Sequence, residues 1–335
     1  MTTINDIARM ADVSKATVSK VINDYPGVNP KTKEKVLEVM RDNNYWPNAT
    51  ARSLSTNRSF TIGIFDPSRL NNFFFREVME GIESLLGEKG FDILYFTNKN
   101  WGDTWVDFSF AEKSLNRNID GVLMMGFGEV DFSQFNKLIQ SKIPTVFIDL
   151  MIEGKKTSYV TSDNISGAKK AIKYLYKMGH RDIGIIRGPS GFKPAEDRFK
   201  GFRETLTELD ITYHPEWVKA DDYSEEAGYK KMKELLQLDE KPTAIFCEDI
   251  FAVGAIQVLK ENKLEVPDDI SFIGFDDIEL SRHYGLTTIA QDKIKIGRKA
   301  AELLLKIIYK EEFSPVIIPT ELVERKSCKK ICYGN

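Results

Sequence analysis

With 335 residues the chain exceeds one ordinary domain and has room for a small domain beside a two-lobed core. A hydrophobic share of 42% suits a buried globular interior, and no apolar run is long enough to span a bilayer. The net charge of −3 argues against a generic nucleic-acid coat, but it is uneven: residues 1–60 carry nine Lys/Arg against six Asp/Glu, and the remainder 38 against 44. No charged-then-apolar signal segment opens the chain, so a cytoplasmic protein is expected. Cys247, Cys328 and Cys332 match neither a zinc site nor a disulfide framework, so free thiols are expected. His180, His214 and His283 are isolated, and neither a metal site nor a cofactor is expected.

In chain order, Ile4 to Ala11 has apolar residues at helical spacing, Asp12-Val13-Ser14-Lys15 interrupts it, and Thr17 to Asn23 resumes the period. This predicts a helix-turn-helix. Its elbow needs a residue that tolerates positive φ, and Asp12 is among the few non-glycine types that do. Ala8 is small enough to let two helices cross closely, with Val18 facing it. Ser14 is a good cap for the second helix, and Thr3 with Asp6 makes a capping-box-like start for the first. A third helix follows, with Asn29 as cap, Pro30 at its first position and Val36, Leu37 and Met40 facing inward.

Val18, Val21 and Ile22 lie at i, i+3 and i+4 and form the buried stripe of the second helix. Ala16, Ser19, Lys20 and Asn23 remain on the opposite face, with Lys15 at the exposed N-terminal end. Such a face suits a major groove, where lysine reads guanine acceptors, alanine meets a thymine methyl, and serine or asparagine binds phosphate. For one helix taken alone, an ordinary solvated face is an equal alternative. Further on, Pro47, Asn48, Ala49, Ala51 and Leu54 suggest a helix of only two or three turns, marginal by itself in water. A protruding Leu54 beside Arg52 fits a minor-groove wedge that kinks the duplex.

Taken together, Thr3-Ile4, Ile7-Ala8, Ala11, Val13-Ser14, Thr17-Val18-Ser19, Val21-Ile22-Asn23, Tyr45, Pro47-Asn48, Ala51-Arg52 and Leu54 resemble the lactose/galactose repressor (LacI/GalR) family of bacterial transcription regulators. The resemblance implies a DNA-contact set of Lys15, Ala16, Thr17, Ser19, Lys20 and Asn23 in the head. To these it adds Asn48, Ala51, Arg52 and Leu54 in a hinge helix. It also implies a homodimer on a pseudo-palindromic double-stranded operator. The stretch Arg325 to Cys332 lacks a leucine heptad, which argues against a coiled-coil tetramer.

From Phe60 onward short apolar runs alternate with helical segments. Strands are expected at 60–65, 91–96, 121–125 and 145–149, and the count restarts near Tyr159-Val160. Strand 182–187, helix 198–209, strand 244–248, helix 252–262 and strand 270–276 follow, then a helix at 296–309 and short runs at 316–318 and 321–323. Continuous apolar strands separated by helices mean parallel sheets covered on both faces. The expected fold is a small all-α helix-turn-helix head plus an α/β core of two doubly wound parallel-sheet lobes, periplasmic-binding-protein-like. The boundaries drawn are 1–46 for the head and 47–59 for the hinge helix and linker. Residues 60–160 with 292–320 form the N-terminal lobe, and 161–291 with 321–335 the C-terminal lobe.

No GxGxxG or P-loop follows the first strand, Gly126-Phe127-Gly128 lacks the third glycine, and no GxSxG elbow occurs. An enzyme with a DNA-binding head is therefore a distant alternative. In open α/β sheets ligands bind beyond the carboxyl ends of strands, where Asp149, Glu248, Asp249 and Asp276 lie. A strand-end carboxylate is more often a cap, and Asp249 and Asp277 are expected to cap the helices that follow them.

The resemblance implies that Arg198 and Asp276 contact an effector, that Tyr223 forms an aromatic wall, and that Phe74 and Phe75 line the upper lobe. Phe192 is a further candidate wall. One departure is Glu248, where the family commonly has asparagine; it adds an acceptor-only charge beside Asp276. Two carboxylates with one arginine favour a ligand rich in hydroxyl donors and disfavour phosphate. Aromatic walls suit the apolar face of a pyranose ring, so the expected effector is a neutral sugar or oligosaccharide. A purine, a phosphosugar or a protein corepressor remain the alternatives, as does an activator in place of a repressor.

Overall fold

The computed structural model describes residues 2–22, 25–45, 58–66, 73–96, 109–126 and 132–331. The chain divides into two compact units, Met1–Phe60 and Thr61–Asn335.

The first unit holds helices α1 (Ile4–Met10), α2 (Lys15–Ile22) and α3 (Pro30–Asp42). Thr3 and Asp6 form a reciprocal capping box: the Thr3 hydroxyl accepts from the Asp6 N–H at 3.3 Å, and the Asp6 carboxylate accepts from the Thr3 N–H at 3.0 Å. Asp12 turns the chain in the left-handed region at φ 51°. Ser14 Oγ accepts from the Thr17 N–H at 3.0 Å, and Asn29 Oδ1 from the Lys31 N–H at 2.9 Å. Ile7, Ala8, Ala11, Val18, Val21, Val36 and Met40 form the core. Leu37 is an exception to the sequence expectation, because it is 38% exposed. The inward stripe of α3 runs through Val36, Val39 and Met40, and Leu37 lies one helical step off that line.

In the second unit two sheets are built from alternating strands and helices. The first contains β1 (Thr61–Phe65), β2 (Asp92–Phe96), β3 (Gly121–Met125), β4 (Thr145–Ile148), β5 (Thr157–Ser162) and β11 (Val316–Ile318), in the order β11-β5-β4-β3-β1-β2. Its strands pair in parallel throughout. The second contains β6 (Ile183–Arg187), β7 (Val218–Ala220), β8 (Ala244–Cys247), β9 (Ser271–Asp276), β10 (Thr287–Ala290) and β12 (Glu321–Val323), in the order β12-β10-β9-β8-β6-β7. Here β12 runs antiparallel to β10, a departure from the all-parallel expectation confined to the edge. The chain thus passes between the sheets after β5, after β10 and after β11.

Helices α4 (Phe73–Glu88), α5 (Phe110–Asn116), α6 (Phe132–Gln140) and α12 (Lys293–Tyr309) serve the first sheet. Helices α7 (Asn164–Lys177), α8 (Lys193–Glu208), α9 (Glu225–Leu236), α10 (Asp249–Glu261) and α11 (Glu279–His283) serve the second. Helix α8 begins five residues before its expected start at Arg198, with Pro194 in its first turn. Strands β1, β3, β4, β6 and β8 are almost wholly buried because helices cover both faces. Helices α4 and α12 approach to backbone contact: a Cβ on Gly81 would strike the Ile294 carbonyl oxygen, and one on Gly297 the Val78 carbonyl oxygen.

Candidate functional site

A cavity of about 340 Å³ opens between the two lobes of the second unit. From one side it is lined by the start of α4 with Gly126 and Asp149 past β3 and β4, and from the other by Asp276 at the end of β9 with the loops and helix starts around α8, α9, α10 and α11. Its apolar walls are Phe73, Phe74 and Phe75 on α4, with Phe192, Tyr223, Ile250 and Ile278 opposite. Phe74 and Phe75 meet edge to face, with centroids 5.3 Å apart. Phe192 and Tyr223 do the same at 5.7 Å, and Tyr223 stacks on Phe251 at 5.6 Å. Burial raises the Tyr223 phenol well above its usual value, so the ring carries a neutral hydroxyl.

The polar floor converges on Arg198, which is only 6% exposed. Its Nε donates to Asn164 Oδ1 at 2.9 Å, Nη1 to Glu248 at 3.1 Å, and Nη2 lies 3.2 Å from Asp276 Oδ1. The guanidinium also stacks 3.9 Å above the Phe275 ring. Burial opposes its charge, but Asp276 and Glu248 outweigh that and hold Arg198 above its ordinary value. Asp276 ends β9 in the left-handed region at φ 112°, followed by Asp277 at φ 50°. Gln291 Nε2 donates to its Oδ1 at 2.6 Å, and burial raises its carboxyl against the pull of Arg198 and Lys293. Asp149, just past β4, also sits at positive φ (62°) and accepts from Thr161 Oγ1 at 2.9 Å. Burial pushes its carboxyl up to about 6, opposed by that hydrogen bond and by Arg198.

Phe74, Phe75, Asp149, Phe192, Arg198, Tyr223 and Asp276 therefore share one cavity. Glu248 does not line it. Its carboxylate is buried behind Arg198, which it anchors, and desolvation raises its pKa. Asp249 is not the expected cap of the helix that follows it. It is the first residue of α10, fully buried, and accepts from the Ile278 N–H at 3.0 Å and Thr288 Oγ1 at 2.7 Å. Asp277 likewise lies one residue outside the cap position and pairs with Arg325 at 2.7 Å. Phe73, Ser224, Glu225, Ile250 and Ile278 join the wall without having been singled out in the sequence. Ser224 caps α9 and Glu225 begins it, so the helix start falls beside Tyr223.

In the head, Lys15, Ala16 and Lys20 are exposed on α2, and Thr17 and Ser19 are half-buried. Asn23, Asn48, Ala51, Arg52 and Leu54 lie outside the described residues. Among the described residues no cluster of His, Cys, Asp and Glu could hold a metal, and no helix is long and apolar enough to cross a membrane. Cys247 and Cys328 are buried free thiols.

A helix-turn-helix head joined to a two-lobed α/β core with a cavity between the lobes defines a ligand-responsive DNA-binding regulator. Residues 3–48 match the model of the bacterial regulatory proteins of the lacI family, and residues 172–328 match a periplasmic binding protein-like domain. The chain is 36% identical to the HTH-type transcriptional repressor PurR of Haemophilus influenzae, over 99% of this chain and 100% of that protein. It belongs to the LacI family of DNA-binding transcription repressors and is not an enzyme. Among solved structures, the lac repressor dimer bound to operator and the anti-inducer ONPF aligns with a TM-score of 0.80 at 27% identity, over 98% of this chain and 99% of that one. A transcriptional regulator CelR–cellobiose complex aligns with a TM-score of 0.71 at 27% identity, over 98% and 100%.

Proposed function

We propose that the chain is a purine-responsive transcription repressor that works in the bacterial cytoplasm as a homodimer on a pseudo-palindromic operator. The reading is carried by the aromatic-walled cavity that ends on the Arg198–Asp276 pair, in a chain matching PurR repressors over its full length. A purine is flat, so Phe74, Phe192 and Tyr223 offer ring faces and edges to it. Its rim alternates donors and acceptors: Asp276 and Asp149 take its N–H groups, and the remaining guanidinium N–H groups of Arg198 meet its carbonyl or ring nitrogen. The sugar expectation rests on two carboxylates beside one arginine and on aromatic walls, and of these groups Glu248 is committed to Arg198 instead. A neutral sugar is the second reading, favoured by the likeness to the CelR–cellobiose complex.

In the head, Lys15, Ala16, Thr17, Ser19, Lys20 and Asn23 would enter the major groove. Asn48, Ala51, Arg52 and Leu54 would bind or wedge the minor groove of the same operator. Isothermal titration of guanine, hypoxanthine, cellobiose and ribose into the full chain, with operator affinity followed by fluorescence anisotropy, tests the reading. Purine binding that shifts operator affinity supports it. Response to a sugar with none to either purine overturns it.

A further inference from the structure

Lys293 is a buried cation that does not line the cavity. It is 3% exposed and opens α12, directly after the chain has passed from the second sheet back to the first. Its Nζ donates to the carbonyl oxygens of Asp276 at 2.7 Å and Asp277 at 2.9 Å, and lies 3.5 Å from Glu77 Oε1. Of the three donors of its ammonium, two are hydrogen-bonded to these carbonyls, and Glu77 stands as a third partner at ion-pair distance. Two belong to the left-handed turn that presents Asp276 to the cavity, and the third to α4, whose first turn supplies Phe74 and Phe75. One side chain therefore bridges the polar floor of one lobe and the aromatic wall of the other.

We propose that Lys293 is the positioning residue through which an occupied cavity acts on α4. The role rests on the effector reading above. Ligand pulling on Asp276 moves the two carbonyl oxygens that hold the ammonium, and a desolvated charge cannot lose partners cheaply, so the turn, Lys293 and Glu77 move together. The backbone contacts at Gly81 and Gly297 make α4 and α12 a rigid pair, so movement at the start of α12 reaches the whole of α4. The neighbouring Arg76–Glu279 pair, 2.6 Å apart, also spans the lobes, but both side chains are more than half exposed and water screens it.

The test uses the full chain, guanine as probe, and the variants Lys293→Met, Lys293→Arg and Glu77→Gln. Glu77 is partly exposed, so its amide variant keeps the fold if Lys293→Met does not. In wild type the ratio of operator affinities with and without guanine should fall on the usual scale of about 5–150-fold. Lys293→Met and Glu77→Gln should bring that ratio towards one, their combination should do no more than Lys293→Met alone, and Lys293→Arg should recover part of it. Hydrogen exchange of the ligand-free protein should quicken in both 73–80 and 276–278 for either variant. A wild-type ratio in both variants, or exchange changes that stop at one lobe, overturns the proposal. If wild type ignores both guanine and hypoxanthine, the purine reading fails by itself, and the ligand-free exchange comparison still decides the role of Lys293.

Discussion

Asp149 shows what burial does to a single carboxyl. Its pKa near 6 lies above the unfolded value of about 3.9, so the folded state binds more protons between those values. Its effect on stability is therefore most favourable below the unfolded pKa and is lost as pH rises through 6. Replacing it with asparagine removes the titration while keeping an oxygen for Thr161. Between pH 4.5 and 7.5, D149N should gain about 2 kcal/mol on wild type in urea unfolding. A constant difference across that range would show that the carboxyl is not held near 6.

Residue by residue, the sequence exposed the cavity groups that stand at strand ends or next to aromatic runs. Asp149 and Asp276 are legible at strand ends, and Arg198 only through the family resemblance. Glu248 departs from expectation because a strand end shows only that a side chain is close to the cleft, not which way it faces, and Asp249 because its helix begins at Asp249 itself. Asn164, Gln291 and Lys293 were missed because the groups they bind are 34, 15 and 16 residues away, beyond any local pattern.

At the scale of elements, long apolar runs such as 121–125 and 270–276 announced their strands, since burial on both faces leaves no polar alternation to blur them. The short β7 and β10 were not read, the first because Val218-Lys219-Ala220 carries no such run, the second because Thr287-Thr288 reads as polar although both are fully buried. In α2 the capped turn and the Val18–Val21 stripe leave Lys20 facing outward, so it is free to meet DNA. K20A should cost about 1–3 kcal/mol at the operator if Lys20 reads a base, with relaxed preference at one position. Unchanged affinity and preference would remove it from the contact set. Packing between α4 and α12 is a second element-scale constraint. G297A forces a methyl onto the Val78 carbonyl, and should lower core stability by about 1–3 kcal/mol or more in urea titration.

For the whole molecule, a ligand alters DNA binding only through the difference in its affinity for two states of the protein, typically about 1–3 kcal/mol of coupling. The cavity can supply such a difference because its walls come from two separate sheets joined by passages after β5, β10 and β11. Ligand contact with both sides favours whichever arrangement brings α4 and the Asp276 turn to the same molecule. Arg198 is the group most exposed to that choice: fully desolvated, it is held by one partner on β9, one behind β8 and one on α7. Removing Arg198 or Asp276 leaves the other charge with an unfilled partner and should cost guanine about 1–3 kcal/mol of binding or more. In anisotropy titrations, R198A and D276A should each give one operator affinity, the same with and without guanine, where wild type gives two. If both variants still show two affinities separated as in wild type, the effector acts from somewhere other than this cavity.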